Sequence, residues 1–90
     1  MAAIPEFAMR QIERWCAQRG SEGGRVECRV RERAVVLVER VDDAGEREIA
    51  QLSLDEFGIW SMLRPDGAGG WLADPDAPVA STPPPLLAQL

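Results

Sequence analysis

The first apolar positions of the chain recur at the spacing of an α-helix. They form one stripe made of Ile4, Phe7, Ala8, Ile12, Trp15 and Cys16. Charged and polar residues occupy most of the positions between them, as in a helix with one buried side. Pro5 suits the first helical turn and Gly20 the position after the last turn. The pattern predicts an amphipathic helix over residues 5–19.

After residue 24 the apolar period changes from 3.6 to 2. Within residues 25–31, Val26, Cys28 and Val30 alternate with charged residues, which is typical of a half-buried strand. Residues 34–41 form an almost continuous β-branched run, which predicts a central strand covered on both faces. Since only two residues separate these segments, we expect a tight hairpin between them.

The sequence predicts further strands between residues 47 and 73. The third strand spans 47–54, the fourth 57–63, and a short edge strand 71–73, with the turn-rich segment 64–70 before the last. The order of elements predicts an α+β fold, in which an N-terminal amphipathic helix packs on a four- to five-stranded antiparallel meander sheet.

Proline becomes frequent after residue 73. We expect one α+β domain over residues 1–73 and a Pro-rich tail over residues 74–90, of which residues 74–85 are extended or in the polyproline II conformation. Residues 86–90 are apolar, which favours their docking on this domain or on a second copy of the chain.

Composition narrows the possible chemistry. The chain contains no His and no Lys, and its net charge is −5. The usual neutral-pH general base, the imidazole metal ligand and the lysine nucleophile are therefore excluded. The net negative charge argues against broad nucleic-acid binding. The sequence predicts no catalytic residue, no metal site and no cofactor.

Two weaker chemical signals have plainer explanations. Cys16 and Cys28 are too few for a disulfide framework, and we expect buried free thiols, with a redox pair as the alternative. Glu39, Asp42 and Asp43 cluster at the predicted end of the second strand. They could bind a divalent cation, although acids at a turn are usually structural or solvated.

The candidates for partner binding lie on predicted strands. Arg25, Arg29 and Arg31 give the first strand a basic outer face, suited to contacts with carboxylates or phosphates. Trp60 and Trp71 are also candidates, because tryptophan is enriched in binding hot spots. Two plainer interpretations apply. The arginines could pair across the sheet with acids such as Glu27, Glu39 or Glu48, and core packing is expected for at least one tryptophan.

Three segments carry a resemblance to a known family. They are IPEFAMRQIERWCAQR at 4–19, RVECRVR at 25–31 and VVLVER at 35–40, followed by looser agreement at 49–52 and 60–63. The chain resembles the uncharacterised bacterial family catalogued as domain of unknown function 3024, in a shortened form. The resemblance covers residues 4–73 and implies no activity, cofactor or site.

These observations favour a small cytoplasmic, non-enzymatic interaction or accessory module that binds a protein partner, as a monomer or weak homodimer. No membrane association is expected, because no apolar run approaches the roughly 18 residues that span a bilayer. One alternative is a nucleic-acid-associated protein that uses the Arg-lined strand face. A second is a carboxylate–metal-dependent hydrolase.

Overall fold

The computed structural model describes residues 4–19, 25–41 and 45–90. Its elements are α1 (Glu6–Arg19), β1 (Arg25–Arg31), β2 (Ala34–Val41), β3 (Gly45–Leu54), β4 (Trp60–Pro65), β5 (Trp71–Ala73) and α2 (Pro84–Leu87). The five strands form one sheet in the order β1-β2-β3-β4-β5, and every neighbouring pair is antiparallel. The predicted helix-plus-meander fold is confirmed.

The first hairpin is as tight as the sequence predicts. Arg31 pairs with Ala34, so that Glu32 and Arg33 alone form the turn. Glu32 has a φ of 52°, in the left-handed region that the backbone of a two-residue hairpin requires. This short connection fixes the register of β1 against β2 along all seven residues of β1.

Both helices pack on one side of the sheet, which we call the inner face. Its buried side chains include Val35 and Leu37 of β2, Leu52 of β3, and Trp60 and Met62 of β4. The helix α1 adds Ala8, Ile12 and Cys16 to the same cluster, which confirms the predicted apolar stripe at these three positions.

The C-terminal segment completes this core. Leu86 and Leu87 of α2 are 0% and 3% exposed and belong to the same hydrophobic cluster. Before α2, Ala80 exchanges two backbone hydrogen bonds with Trp60, which attaches the segment to the edge of β4. The apolar end of the chain therefore docks on this domain, in a short helix that also includes residues 84 and 85, which were expected to be extended.

Several details of the strand predictions are wrong. The strand β3 begins at Gly45 instead of residue 47, and β4 ends at Pro65 instead of residue 63. The strand β4 begins at Trp60 instead of residue 57, because Asp55 Oδ1 accepts hydrogen bonds from the N–H groups of Phe57 and Ile59, at 2.8 and 2.9 Å. This closed turn, with Gly58 at a φ of 80°, takes up the residues expected in the strand. Val30, expected on the buried side of β1, is 55% exposed because it lies near the end of an edge strand.

Candidate protein-contact surface

The second side of the sheet, which we call the outer face, has no helix or strand packed over it among the described residues. Cross-strand partners share a face and neighbours along a strand alternate between faces, so the register defines this surface. The rows across it are Arg25–Arg40–Glu46, Glu27–Val38–Glu48, Arg29–Val36–Gln51–Leu63–Ala73, Arg31–Ala34–Ser53–Ser61 and Pro65–Trp71. Four of the five sequence-predicted contact residues thus lie on one surface.

Two apolar side chains at the centre of the outer face are almost fully buried. Val36 and Val38 are 1% and 2% exposed, although neither belongs to the core cluster beneath the helices. Around them Ala34, Ser61 and Leu63 are half-buried. The strand β2 is the second of the five strands and has a neighbour on each side. Its residues 35–38 are all buried, as expected for a central strand, although no helix or strand of the described residues packs over the outer face.

One side of this centre carries a network of ion pairs. Arg29 donates a hydrogen bond to Glu46 at 2.6 Å, and Arg40 Nε lies 3.4 Å from Glu46 and 3.6 Å from Glu27. The hydrogen bond from Arg29 lowers the pKa of the Glu46 carboxyl and raises the pKa of the Arg29 guanidinium. Exposed pairs of this kind add little stability, but they hold long side chains in a fixed position.

The network confirms cross-strand pairing as the interpretation for Arg29. Its main partner is Glu46 of β3, which the sequence analysis did not identify. Arg25 and Arg31 differ from Arg29: both are exposed, and neither forms an ion pair in the described part of the chain. They occupy the two ends of β1 and carry the basic groups available to a partner at this edge.

The two tryptophans have different positions. Trp71 lies on the outer face opposite Pro65 and is half-buried, at the side of the sheet furthest from β1. Trp60 lies on the inner face and is 1% exposed. Trp60 belongs to the hydrophobic cluster beneath the helices, so it is part of the core and does not contribute to the outer face. Core packing was the interpretation expected for at least one of the two.

Of the three acids in the predicted carboxylate cluster, only Glu39 lies within the described residues. It projects from the inner side of β2 and accepts a hydrogen bond from Arg47 at 2.7 Å, whereas the neighbouring acids Glu46 and Glu48 of β3 belong to the outer face. Asp42 and Asp43 lie outside the described residues. In the ranges 4–19, 25–41 and 45–90 no group of three or more Cys, Asp or Glu residues is placed to hold a metal ion.

The two cysteines are neighbours beneath the helix. Both are free thiols, and Cys16 is buried. The pKa of Cys16 is raised to about 12, mainly by burial and to a smaller extent by the adjacent Cys28 thiol and the Glu13 carboxylate. Burial also raises the pKa of Cys28. Since the thiolate is the reactive form, both side chains are held in the unreactive state at neutral pH.

Comparison with known proteins identifies a family and no activity. A family model described as "Domain of unknown function (DUF3024)" matches residues 2–90, essentially the whole chain, which confirms the resemblance seen in the sequence and extends it through α2. No curated protein and no solved structure matches. Within the described residues, neither helix is long and apolar enough to cross a membrane.

Proposed function

The chain belongs to the DUF3024 family, and we propose that it is a small non-enzymatic interaction module that binds a protein partner through the outer face of its sheet. The observation that supports this proposal is the bare outer face itself. Both helices pack on the inner face. The outer face keeps an apolar centre, beside which lies a charged rim formed by the ion pairs of Arg29 and Arg40 with Glu27 and Glu46. That distribution is the usual anatomy of a protein interface.

The chemistry of the surface indicates what kind of protein would bind. The half-buried Ala34, Ser61 and Leu63, which surround the buried valines, supply the contact area at the centre of this surface. Arg25 and Arg31, unpaired by acids among the described residues, favour carboxylates on the partner at the β1 edge. Trp71 at the opposite edge supplies a large side chain of the type found in hot spots. The module itself is proposed to be a cytoplasmic monomer or weak homodimer.

Nucleic acid is a weaker candidate for the same surface. Arg29 and Arg40, two of its four arginines, already lie against Glu27 and Glu46, which also place negative charge on the face. The whole chain has a net charge of −5. Binding to a phosphate backbone depends on unneutralised basic groups, so this distribution favours a protein. The hydrolase alternative has less support, because Glu39 is paired with Arg47 on the other side of the sheet.

The proposal is tested by capturing partner proteins from the native host with the wild-type chain and with single-site variants, each altered on either the outer face or α1. Ser61→Arg places a long cation in the apolar centre, and Arg31→Glu reverses the charge at the β1 edge. Ala17→Arg is the matched control, since Ala17 is exposed on α1. We expect the first two to lose a partner that the wild type and the control retain.

Quantitative mass spectrometry of the captured proteins gives the readout, with circular dichroism to show that each variant is folded. The proposal is wrong if no protein is enriched by the wild type, or if every enriched protein is retained equally by Ser61→Arg and Arg31→Glu. Capture that disappears after nuclease treatment and weakens steeply with salt would support the nucleic-acid alternative instead.

A further inference from the structure

A groove separates the two helices on the side of the molecule opposite the outer face. It has a volume of about 350 Å³ and is lined by Gln11, Arg14, Trp15, Gln18, Pro84, Leu87 and Ala88. This volume is within the range of roughly 300–1,000 Å³ found for ligand sites in proteins. At one end, Arg19 stacks over the Trp15 ring at 5.2 Å and donates a hydrogen bond to the Leu90 backbone oxygen at 2.7 Å, which ties α1 to the C-terminal segment.

Gln11, which lines the groove, carries a buried acceptor without a donor. The side-chain oxygen Oε1 of Gln11 is buried and accepts no hydrogen bond from the described residues. A buried carbonyl oxygen in this state is energetically unfavourable, and such an oxygen in a native protein calls for an explanation. Rotation of the Gln11 side chain into the groove would let a ligand N–H supply the missing bond. The amide of glutamine has one acceptor and two donor hydrogens, so its natural complement is a peptide group.

The surroundings of Gln11 add an apolar and a charged component. Trp15 and Leu87 line the groove from α1 and α2, and Phe7, one helical turn before Gln11, is 67% exposed. The helical spacing predicts Phe7 on the buried stripe of α1, and this prediction is wrong. Arg14 is exposed and forms no ion pair with any described residue, so the groove favours a negative charge.

We propose that this groove binds an extended peptide segment of a partner protein. An apolar side chain of the peptide fills the space between Trp15 and Leu87, and its backbone N–H donates to Gln11 Oε1. An acidic residue next in the peptide faces Arg14. The site is separate from the outer face, so it is a second binding surface and does not depend on the proposal made for the first.

The probe is a synthetic peptide, acetyl-Gly-Ser-Leu-Glu-Ser-Gly-amide, titrated into the ¹⁵N-labelled full chain and followed by NMR. We expect shifts concentrated at the Trp15 indole N–H and at the amides of Leu87 and Ala88. The same peptide with Lys in place of Glu should bind about threefold more weakly, as expected for one exposed charge pair.

Two variants test the assigned contacts. Arg14→Glu should reverse the preference, so that the Lys peptide binds better than the Glu peptide. Arg10→Glu is its matched control, because Arg10 lies on α1 outside the groove and is paired with Glu6 at 2.9 Å. Gln11→Met keeps the length of the side chain and removes the unpaired oxygen. It should raise the Tm by about 4 °C and weaken peptide binding, a combination that unfolding cannot produce.

Several results would overturn the proposal. One is the absence of any shift at peptide concentrations of about 10 mM, well above the range of weak specific binding. Others are shifts centred away from the groove, equal binding of the Glu and Lys peptides, and a Gln11→Met variant that binds as well as the wild type. None of these results bears on the outer face, whose partner capture is measured separately.

Discussion

At the scale of single residues, the buried thiol of Cys16 links stability to pH. Burial raises its pKa from 9.0 to about 12 in the folded protein, whereas the unfolded chain has the ordinary value. Between these two values the folded state keeps a proton that the unfolded state has lost. The contribution of Cys16 to stability is therefore complete below pH 9.0 and declines as the pH rises toward 12.

We therefore expect the free energy of unfolding to fall above pH 9, by at most about 1.4 kcal/mol per pH unit for each thiol affected. Urea unfolding between pH 7.5 and 10.5 measures this slope. In Cys16→Ala the slope should shrink, leaving the part contributed by Cys28, whose pKa is raised as well. Equal slopes in the variant and the wild type would show that Cys16 is not the group responsible.

Trp60 and Trp71 differ in burial, and their substitution should therefore have different effects on stability. Trp60 is 1% exposed in the core, whereas Trp71 is half-buried on the outer face. Trp60→Ala should lower the free energy of unfolding by about 3–5 kcal/mol, because it leaves a large cavity. Trp71→Ala should cost less than about 1 kcal/mol while weakening partner binding. Chemical denaturation of both variants provides the measurement, and similar losses would contradict the assignment of faces.

At the scale of elements, local patterns predict most of the fold. The helix α1 and the strands β1, β2 and β5 match their predicted segments to within a residue, because each has a clear apolar period bounded by turn residues. Which side chains of neighbouring strands meet is harder to predict from the sequence. An unbroken alternation from Leu52 and Ala50 would place Glu46 on the inner face. A β-bulge beside Leu37 and Val38 leaves Ile49 unpaired and turns Glu46 outward to meet Arg29.

Local sequence patterns do not predict the groove or the helix α2, because both depend on tertiary packing. Proline-rich sequence usually favours extended chain, and only the tertiary contacts of Leu86 and Leu87 with the core show why residues 84–87 become helical. The orphaned oxygen of Gln11 likewise depends on the packing of α2 beside α1. A polar residue at that helical position carries no sign in the sequence that it will be buried.

The contribution of α2 to the core predicts that its buried leucine is important for stability. Leu86→Ala should lower the free energy of unfolding by about 2–5 kcal/mol, because Leu86 is fully buried between α1 and the sheet. Leu72→Ala is the matched control, since Leu72 is 61% exposed on β5 and should change stability by less than about 0.5 kcal/mol. Differential scanning calorimetry compares the two. A small effect of Leu86→Ala would mean that α2 does not contribute to the core as described.

In the molecule as a whole, both helices of the described residues pack on one side of a single sheet. The inner face holds the core and the outer face holds the apolar centre with its charged rim. A chain of 90 residues has a small stability margin. A partner that binds the outer face of the folded chain would add to that margin, which is a physical reason for a module of this kind to work in a complex.

Site-specific photo-crosslinking in the native host tests this account most directly. A photo-reactive amino acid at Ser61 samples the centre of the outer face, and the same group at Ala17 samples the exposed side of α1. The account predicts a discrete crosslinked protein from position 61 that is absent from position 17 and is lost on adding Arg31→Glu. It is contradicted if position 61 gives no crosslink, or if both positions give the same products.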